Sequence, residues 1–500
     1  MSTANTTPTH HLDVLIIGAG LSGIGAACQL AKHNPEKSVA ILERRQNIGG
    51  TWDLFRYPGI RSDSDMFTFG YCFRPWRQAR TLADGAEIRQ YIHDTAKAYH
   101  VDRKIHFGCK VLSADWNSQT QQWSVQTQSE TDGELRSYHC RFLVSCTGYY
   151  NYDQGHLPDF PGAGDFSGTF FHAQQWPESL DYSDKRVIVI GSGATAVTLV
   201  PTMAAKARHV TMLQRSPSYI FSRPAEDSMS KQLLHFLPAS WVFRLTRWRN
   251  ITLQRWLFRS SKRHPERVKR FLLEKVRQQL PSDDYLPHFT PRYNPWDERI
   301  CAVPDGALFK ELRNGQASVV TDTIECFVDK GIQLESGRTL EADIIVAATG
   351  LQLQMLGGAS ISLDGESVKL NEKMAYKGVL IEDLPNFAMM MGYTNLSWTL
   401  KVEVAVRYLS RLFKYMDKTG VSVAIPVDPH GCKLDSGIMD SLSSGYVKRS
   451  SALTPRQGSQ GPWKVVMDYK RDRRSLLRGN INDGNLNFIQ PANRTLQKSA

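Results

Sequence analysis

The chain has 500 residues, a formal charge of +12, and 41% hydrophobic and 10% aromatic residues, a length that predicts two or three domains rather than one core. No apolar run is long enough for a membrane-crossing helix, and the polar opening MSTANTTPTH has neither the basic nor the apolar region of a secretory signal. The eight cysteines (28, 72, 109, 140, 146, 301, 326 and 432) form no CxxC pair, which argues against a dithiol centre or structural zinc and predicts no metal and a cytoplasmic location.

The apolar run LDVLIIGAG at 12–20 ends in glycines, a helical stretch follows from Leu21 to about His33, and SVAILE at 38–43 is a second run. This predicts a β-α-β unit. Its turn, Gly18-Ala19-Gly20-Leu21-Ser22-Gly23, has the form GxGxxG. Glycine there lets a pyrophosphate approach the backbone, and the helix N-terminus offers N–H groups to the anion. Glu43, twenty residues after Gly23, can accept from ribose hydroxyls. Next comes GGTWDLFRYPGIRSD at 49–63, crowded with aromatics, glycines and paired charges, as the wall of a flavin site requires. The bland alternative is an aromatic-rich loop.

Phe166 to Pro177 reads FxGxxxHxxxWP in the link between two nucleotide units. A histidine in such a place is more often a satisfied structural residue than a catalyst. At 185–215 strand, glycine turn, helix and strand recur. The turn Gly191-Ser192-Gly193-Ala194-Thr195-Ala196 is followed by Gln214-Arg215-Ser216, where an NAD-selective site would place an acid. Arg215 can pair with a 2′-phosphate, which favours NADPH; otherwise it is a solvated cation.

Between Ala239 and Leu280 twelve Arg or Lys face only Glu266 and Glu274, so this segment holds +10 of the +12. The remainder is nearly neutral, which argues against nucleic-acid binding. The stretch predicts a helical insertion at about 225–290, broken at Pro265. WVFRLTRWRNITLQRWLFR at 241–259 interleaves Trp and Arg, which suits peripheral contact with an anionic membrane. The alternative is a solvated helical face that lines a substrate entrance. The run ADIIVAATG at 342–350 resembles FLVSCTGYY at 142–150, and the tail after about Gly420 is mixed, with Ser444, Gly445, Gly458 and Pro462.

The 49–63 motif, FxGxxxHxxxWP and the two glycine turns resemble the type I Baeyer–Villiger monooxygenases, and GSGATAVTLVP, YNPWDER and GYTNLSWTLK resemble their ethionamide-activating mycobacterial branch. The resemblance implies an α/β fold of two Rossmann-like domains: FAD-binding at 1–155, NADP-binding at 156–340 with the insertion, and a return to the FAD domain with the tail at 341–500. It implies FAD on Gly18, Gly20, Ser22, Gly23, Glu43, Thr51, Trp52, Asp53, Leu54, Asp63 and Val111. It implies NADP on Arg61, Ser62, Asp63, Gly191, Ser192, Gly193, Ala194, Thr195, Ala196, Gln214 and Arg215. In that family reduced flavin takes up dioxygen at C4a, and the peroxide attacks a ketone to give an ester or lactone. Sulfides and thioamides are expected as further substrates, and a flavin-containing N/S-monooxygenase is the alternative.

A fixed cation must meet the developing oxyanion. The resemblance makes it Arg299, with Arg292 the competitor, and makes Asp63 the residue that orients it. It implies that His172 couples domain position to the cycle. Where many members place Lys before that arginine, this chain has Glu298, which leaves more of the phosphate to Arg215. A disulfide reductase of the same plan would need a cysteine pair in 44–71, and there is none. A third reading is a flavin-binding protein without catalysis.

Overall fold

The computed structural model describes residues 10–440 and 445–492; residues 1–9, on which the signal reading rests, and Ser444 of the tail lie outside the described residues. Val14, Leu15 and Ile16 are buried on both faces, so His10–Ile17 is a central strand. It runs parallel to Val39–Leu42 on one side and to Leu135–Ser145 on the other. Leu135–Ser145 is long enough for two roles. Its first half pairs antiparallel with Gln122–Ser129, which pairs with Cys109–Asn117, while its second half joins the parallel part. Phe387–Met389 and Ser360–Leu363 return late in the chain to this same sheet.

The second sheet is wholly parallel, ordered Ala317–Thr321, His209–Gln214, Arg186–Ile190, Ile344–Ala347, Thr169–His172. Ile344–Ala347 therefore belongs to the second sheet and not to the returning part that was expected to begin at 341. Four consecutive buried apolar residues mark a strand covered on both faces, but such a run carries no address for one sheet over another. The chain comes back to the first sheet at Ser360. The outgoing segment Tyr150–Gly155 and the incoming Leu351–Leu353 lie side by side as an antiparallel pair, so both crossings between the sheets are tied together.

The basic stretch folds as Ala239–Arg263 and Pro265–Arg277. The break at His264 follows from proline, which opens a helix readily but cannot sit in its interior without losing a hydrogen bond. The inner face of the longer helix is locked to the body. Arg247 donates to the carbonyls of Phe67 (2.9 Å) and Gly70 (2.7 Å) and pairs with buried Glu403 at 2.7 Å. Asn250 and Gln254 donate to the two carboxylate oxygens of Asp65 at 2.9 and 2.7 Å. Near the far end Lys262 pairs with Asp297 at 2.8 Å, and Phe258 meets Trp296 edge-on at 5.7 Å.

Removing one partner of a buried pair leaves the other charge uncompensated, at a cost of about 3–5 kcal/mol. Arg247→Ala is expected to lower the thermal unfolding midpoint clearly, while Arg263→Ala, on the exposed side, leaves it close to the parent's. Equal midpoints for the two variants in a calorimetric scan would contradict this packing.

Candidate active site

The first glycine turn is as tight as its sequence requires. Gly18 has φ +102°, and a Cβ there would lie 2.7 Å from the Cys146 carbonyl oxygen; at Gly23 it would lie 1.8 Å from that of Gly18. Gly20 faces the Gly49-Gly50 turn, its added Cβ only 3.4 Å from Gly50 Cα, so the two glycine segments form one backbone cradle beside the N-terminus of helix Leu21–His33. Glu43, 4% exposed, closes that cradle: Oε2 accepts from Ala19 N–H at 2.7 Å and Oε1 from Arg45 N–H at 2.8 Å. Burial pushes its pKa up, and the two backbone donors oppose this. Ser22 Oγ accepts from Trp398 Nε1 at 2.7 Å, which brings the GYTNLSW segment to the turn.

Thr51–Leu54 is a single helical turn. Asp53, expected to bind the flavin cofactor, is 0% exposed and pairs with Arg45, Arg56 and Arg89 at 2.9, 2.8 and 3.2 Å. Its carboxylate is thus engaged by protein cations. Trp52 packs edge-on against Phe69 at 5.7 Å. Val111 is buried in the apolar layer behind the sheet with Leu42.

The loop that follows reaches across to the second sheet. Phe55 and Tyr57 lie in that sheet's core with Leu54 and Ile60 against them. The Tyr57 hydroxyl bonds Thr195 of the second glycine turn. Gly59, at φ +74°, packs where a Cβ would strike Thr202 Oγ1. Arg61 then donates to Ala302 O at 2.9 Å, and Asp63 accepts the Ala302 N–H. Ser62 is buried, and its Oγ accepts from Ser64 N–H at 3.1 Å. One peptide segment of strand Cys301–Pro304 is thus gripped on both sides, three residues beyond Arg299. Burial pushes the Asp63 pKa up, while Arg61, then Arg299 and Arg223, pull it down. Between Pro295 and Arg299 the chain turns through Trp296 at φ +69°, an outlier for a bulky residue of the kind that collects near functional sites.

Arg299 lines a cleft whose other walls include Tyr149, Met391, Trp398, Met439 and Met467. At its floor Lys401 and Tyr393 both hold Asp472 Oδ2, at 2.9 and 2.7 Å. Arg292 and Arg299 are both exposed, and of the two only Arg299 is among the lining residues. The basic insertion, one reading of which has it line a substrate entrance, contributes no lining residue, whereas Trp398 of the GYTNLSWTLK segment does. The reason is the lock described above: the inner face of the helix is spent on Asp65, Glu403 and backbone carbonyls.

In the second turn Gly191 has φ +141°, and a Cβ there would lie 2.4 Å from the Ala348 oxygen; a Cβ on Gly193 would meet nothing within 4 Å. The middle glycine thus faces open space ahead of helix Ala194–Ala204, where a dinucleotide backbone fits. Ser192 Oγ donates to Ser216 O at 2.9 Å and bonds Ser218 Oγ at 3.0 Å. Gln214, expected to bind NADP, is buried with its amide donating to His288 O and Thr321 Oγ1 at 2.7 and 2.8 Å; it fastens the strand end instead. Arg215 is exposed. Arg449, from helix Gly445–Ser450, is its cationic neighbour: burial and then Arg215 lower the Arg449 pKa.

A model of flavin-binding monooxygenase-like proteins matches residues 71–270, and one of NAD(P)-binding Rossmann-like domains matches residues 16–84. The chain is 58% identical over 486 residues to MymA of Mycobacterium tuberculosis H37Rv, named as an FAD-containing monooxygenase, covering 96% of this chain and 98% of that one. It is 48% identical over 484 residues to the FAD-containing monooxygenase EthA of the same strain, again covering 96% and 98%. The chain belongs to the FAD-containing monooxygenases. The fold of this monooxygenase is that of steroid monooxygenase (TM-score 0.75, 21% identity, 96% and 100% of the chains covered) and of cyclohexanone monooxygenase (0.73, 20%, 97% and 100%).

His172 of the monooxygenase sits where the two crossings meet. Nδ1 accepts from Gln174 N–H at 3.1 Å, so Nε2 carries the proton donated to Gly350 O at 3.0 Å. The ring lies against Gly155, where a Cβ would come within 2.0 Å of it. One neutral imidazole therefore joins outgoing strand, linker and returning strand. Burial lowers its pKa from 6.5, with His156 adding to this and the Gly350 bond opposing. The stability it contributes is present above 6.5 and is lost as pH falls below that toward the lowered folded value. The thermal midpoint is therefore expected to fall more steeply between about pH 7.5 and 5.5 in the parent than in His172→Gln; parallel slopes would show that this ring is not part of the acid response. Sequence reasoning missed three contacts: the Trp398–Ser22 bond, the grip on Ala302 and Arg449. Each joins residues far apart in the chain, and no local pattern marks them.

Proposed function

We propose that this monooxygenase uses FAD and NADPH to insert one atom of dioxygen into a ketone, giving an ester or lactone, and that it also oxidises sulfides or thioamides. The observation that carries the reading is Arg299 on the wall of an otherwise largely apolar cleft, with Asp63 beside it. Bound FAD, reduced by NADPH, supplies the electrons that activate dioxygen. The cradle of Gly18, Gly20, Gly23 and Gly50 leaves room for the flavin dinucleotide's diphosphate, with Glu43 at its edge for the ribose. Arg299 offers a guanidinium, charged at any working pH, to the oxygen that gathers negative charge when the carbonyl carbon is attacked. Asp63 orients Arg299 through the shared strand Cys301–Pro304. Met391, Met439 and Met467 exclude water and leave an apolar substrate chain well matched.

Gly193 and the start of helix Ala194–Ala204 suit the nicotinamide dinucleotide's diphosphate. Arg215 and Arg449 would hold the 2′-phosphate together, Arg449 replacing the lysine that Glu298 displaces. Hydrogen bonds to charged groups contribute about 1.5–3 kcal/mol. Arg449→Ala is therefore expected to weaken NADP⁺ binding roughly 10- to 100-fold, with NAD⁺ binding unchanged, in a calorimetric titration. Equal losses for both nucleotides would remove the phosphate role. The function itself is tested by a panel of ketones and thioethers under oxygen-18, with NADPH consumption followed in parallel. One labelled atom in an ester per NADPH is expected; labelled sulfoxide with no ester from any ketone would make the enzyme a heteroatom oxygenase.

A further inference from the structure

The outer face of helix Ala239–Arg263 carries three large aromatic side chains in the open. Trp241, Trp248 and Trp256 are 59%, 70% and 62% exposed, Leu245 lies exposed between them, and Phe236 just before the helix is 84% exposed. At about 100° per residue, Trp241, Leu245, Trp248 and Trp256 fall within an arc of about 80°. Scattered surface apolar residues need no explanation, but a contiguous stripe of this size marks an interaction site. The same face holds Arg244 and Arg263; both are exposed, and neither forms an ion pair among the described residues. Arg267 and Arg270 extend the positive charge onto the next helix, again exposed and without an ion pair among the described residues. Most of the acids near this face are engaged elsewhere, Asp468 on Arg255 and Arg259, Asp227 on Arg249 and Asp297 on Lys262, and only Glu266 and Glu274 of the segment itself stand against its excess of cations among the described residues.

We infer that this stripe is a docking face for the surface of an anionic lipid bilayer, with the tryptophans seated at headgroup depth and the free arginines on the lipid phosphates. Indole combines an apolar body with one polar N–H and so favours the interface over either water or hydrocarbon. Arginines at its flanks supply the attraction to negative headgroups. A second copy of the chain fits less well, because a symmetric contact through this face would set the same unpaired arginines against each other. No described helix is long and apolar enough to cross a membrane, so the contact is peripheral. The helix is also a firm mount: its inner side is fastened by Arg247, Asn250 and Gln254, and docking does not require it to leave the protein.

The test is co-sedimentation of the flavin-loaded full chain with vesicles of phosphatidylglycerol and phosphatidylcholine mixed, or of phosphatidylcholine alone. At low salt the anionic vesicles are expected to carry down at least tenfold more protein than the zwitterionic ones, and the difference is expected to shrink with added salt. Brominated acyl chains are expected to quench part of the tryptophan emission. Trp241→Ser with Trp248→Ser and Trp256→Ser should abolish binding and quenching while the flavin spectrum and the rate of NADPH-driven bleaching stay unchanged. Arg244→Glu with Arg263→Glu should abolish the preference for anionic lipid. The inference is overturned if no vesicle binds, if the triple variant sediments like its parent, or if sedimentation velocity shows the stripe joining two copies with no vesicle bound.

Discussion

The site rests on one gripped strand. Arg61 and Asp63, from the loop of the first sheet, take the carbonyl and the N–H of Ala302, on a strand that pairs with Ile220–Arg223 and packs into the second sheet's core. Both contacts involve charged groups, each of a kind that contributes about 1.5–3 kcal/mol. Together they hold the strand that follows Arg299 against the loop that follows the flavin cradle. Tyr57 on Thr195 and Gly59 on Thr202 strengthen the same seam a few residues earlier. This seam joins the two nucleotide units beside the strand that follows Arg299, in addition to their crossings and the helical insertion.

The crossings have their own fastening. His172 is neutral, fully hydrogen-bonded and pressed on a glycine that no other residue could replace without moving the ring. Both readings of this histidine, structural and coupling, therefore describe one physical arrangement. The ring joins the outgoing and returning strands and does not line the cleft beside Arg299.

Much of this was legible where chemistry is local. The two glycine turns, their following helices and the break before Pro265 each follow from rules about φ, N–H groups and helix ends that act within a few residues. Glu43 was legible because its offset from the turn is fixed by the length of one helix. The rest depended on contacts across long stretches. Ile344–Ala347 reads as a buried strand but not as a member of either sheet. Gln214 sits at the expected offset, yet its amide is spent on His288 and Thr321. Asp53 has the right place for a ligand, but three arginines already surround it. The charge of the insertion reads as one basic block, whereas folding neutralises about half of its cations and leaves the remainder beside an apolar stripe.

The central claim is that a guanidinium fixed by this seam meets the negative charge formed during oxygen transfer. Its most direct test is the yield of oxygenated product per NADPH consumed, measured for the parent and for Arg299→Ala with the same ketone. The account predicts that the variant still consumes NADPH and bleaches its flavin at close to the parent's rate, while product per NADPH falls by at least a hundredfold, on the order of removing one oxyanion donor. An unchanged yield would contradict it.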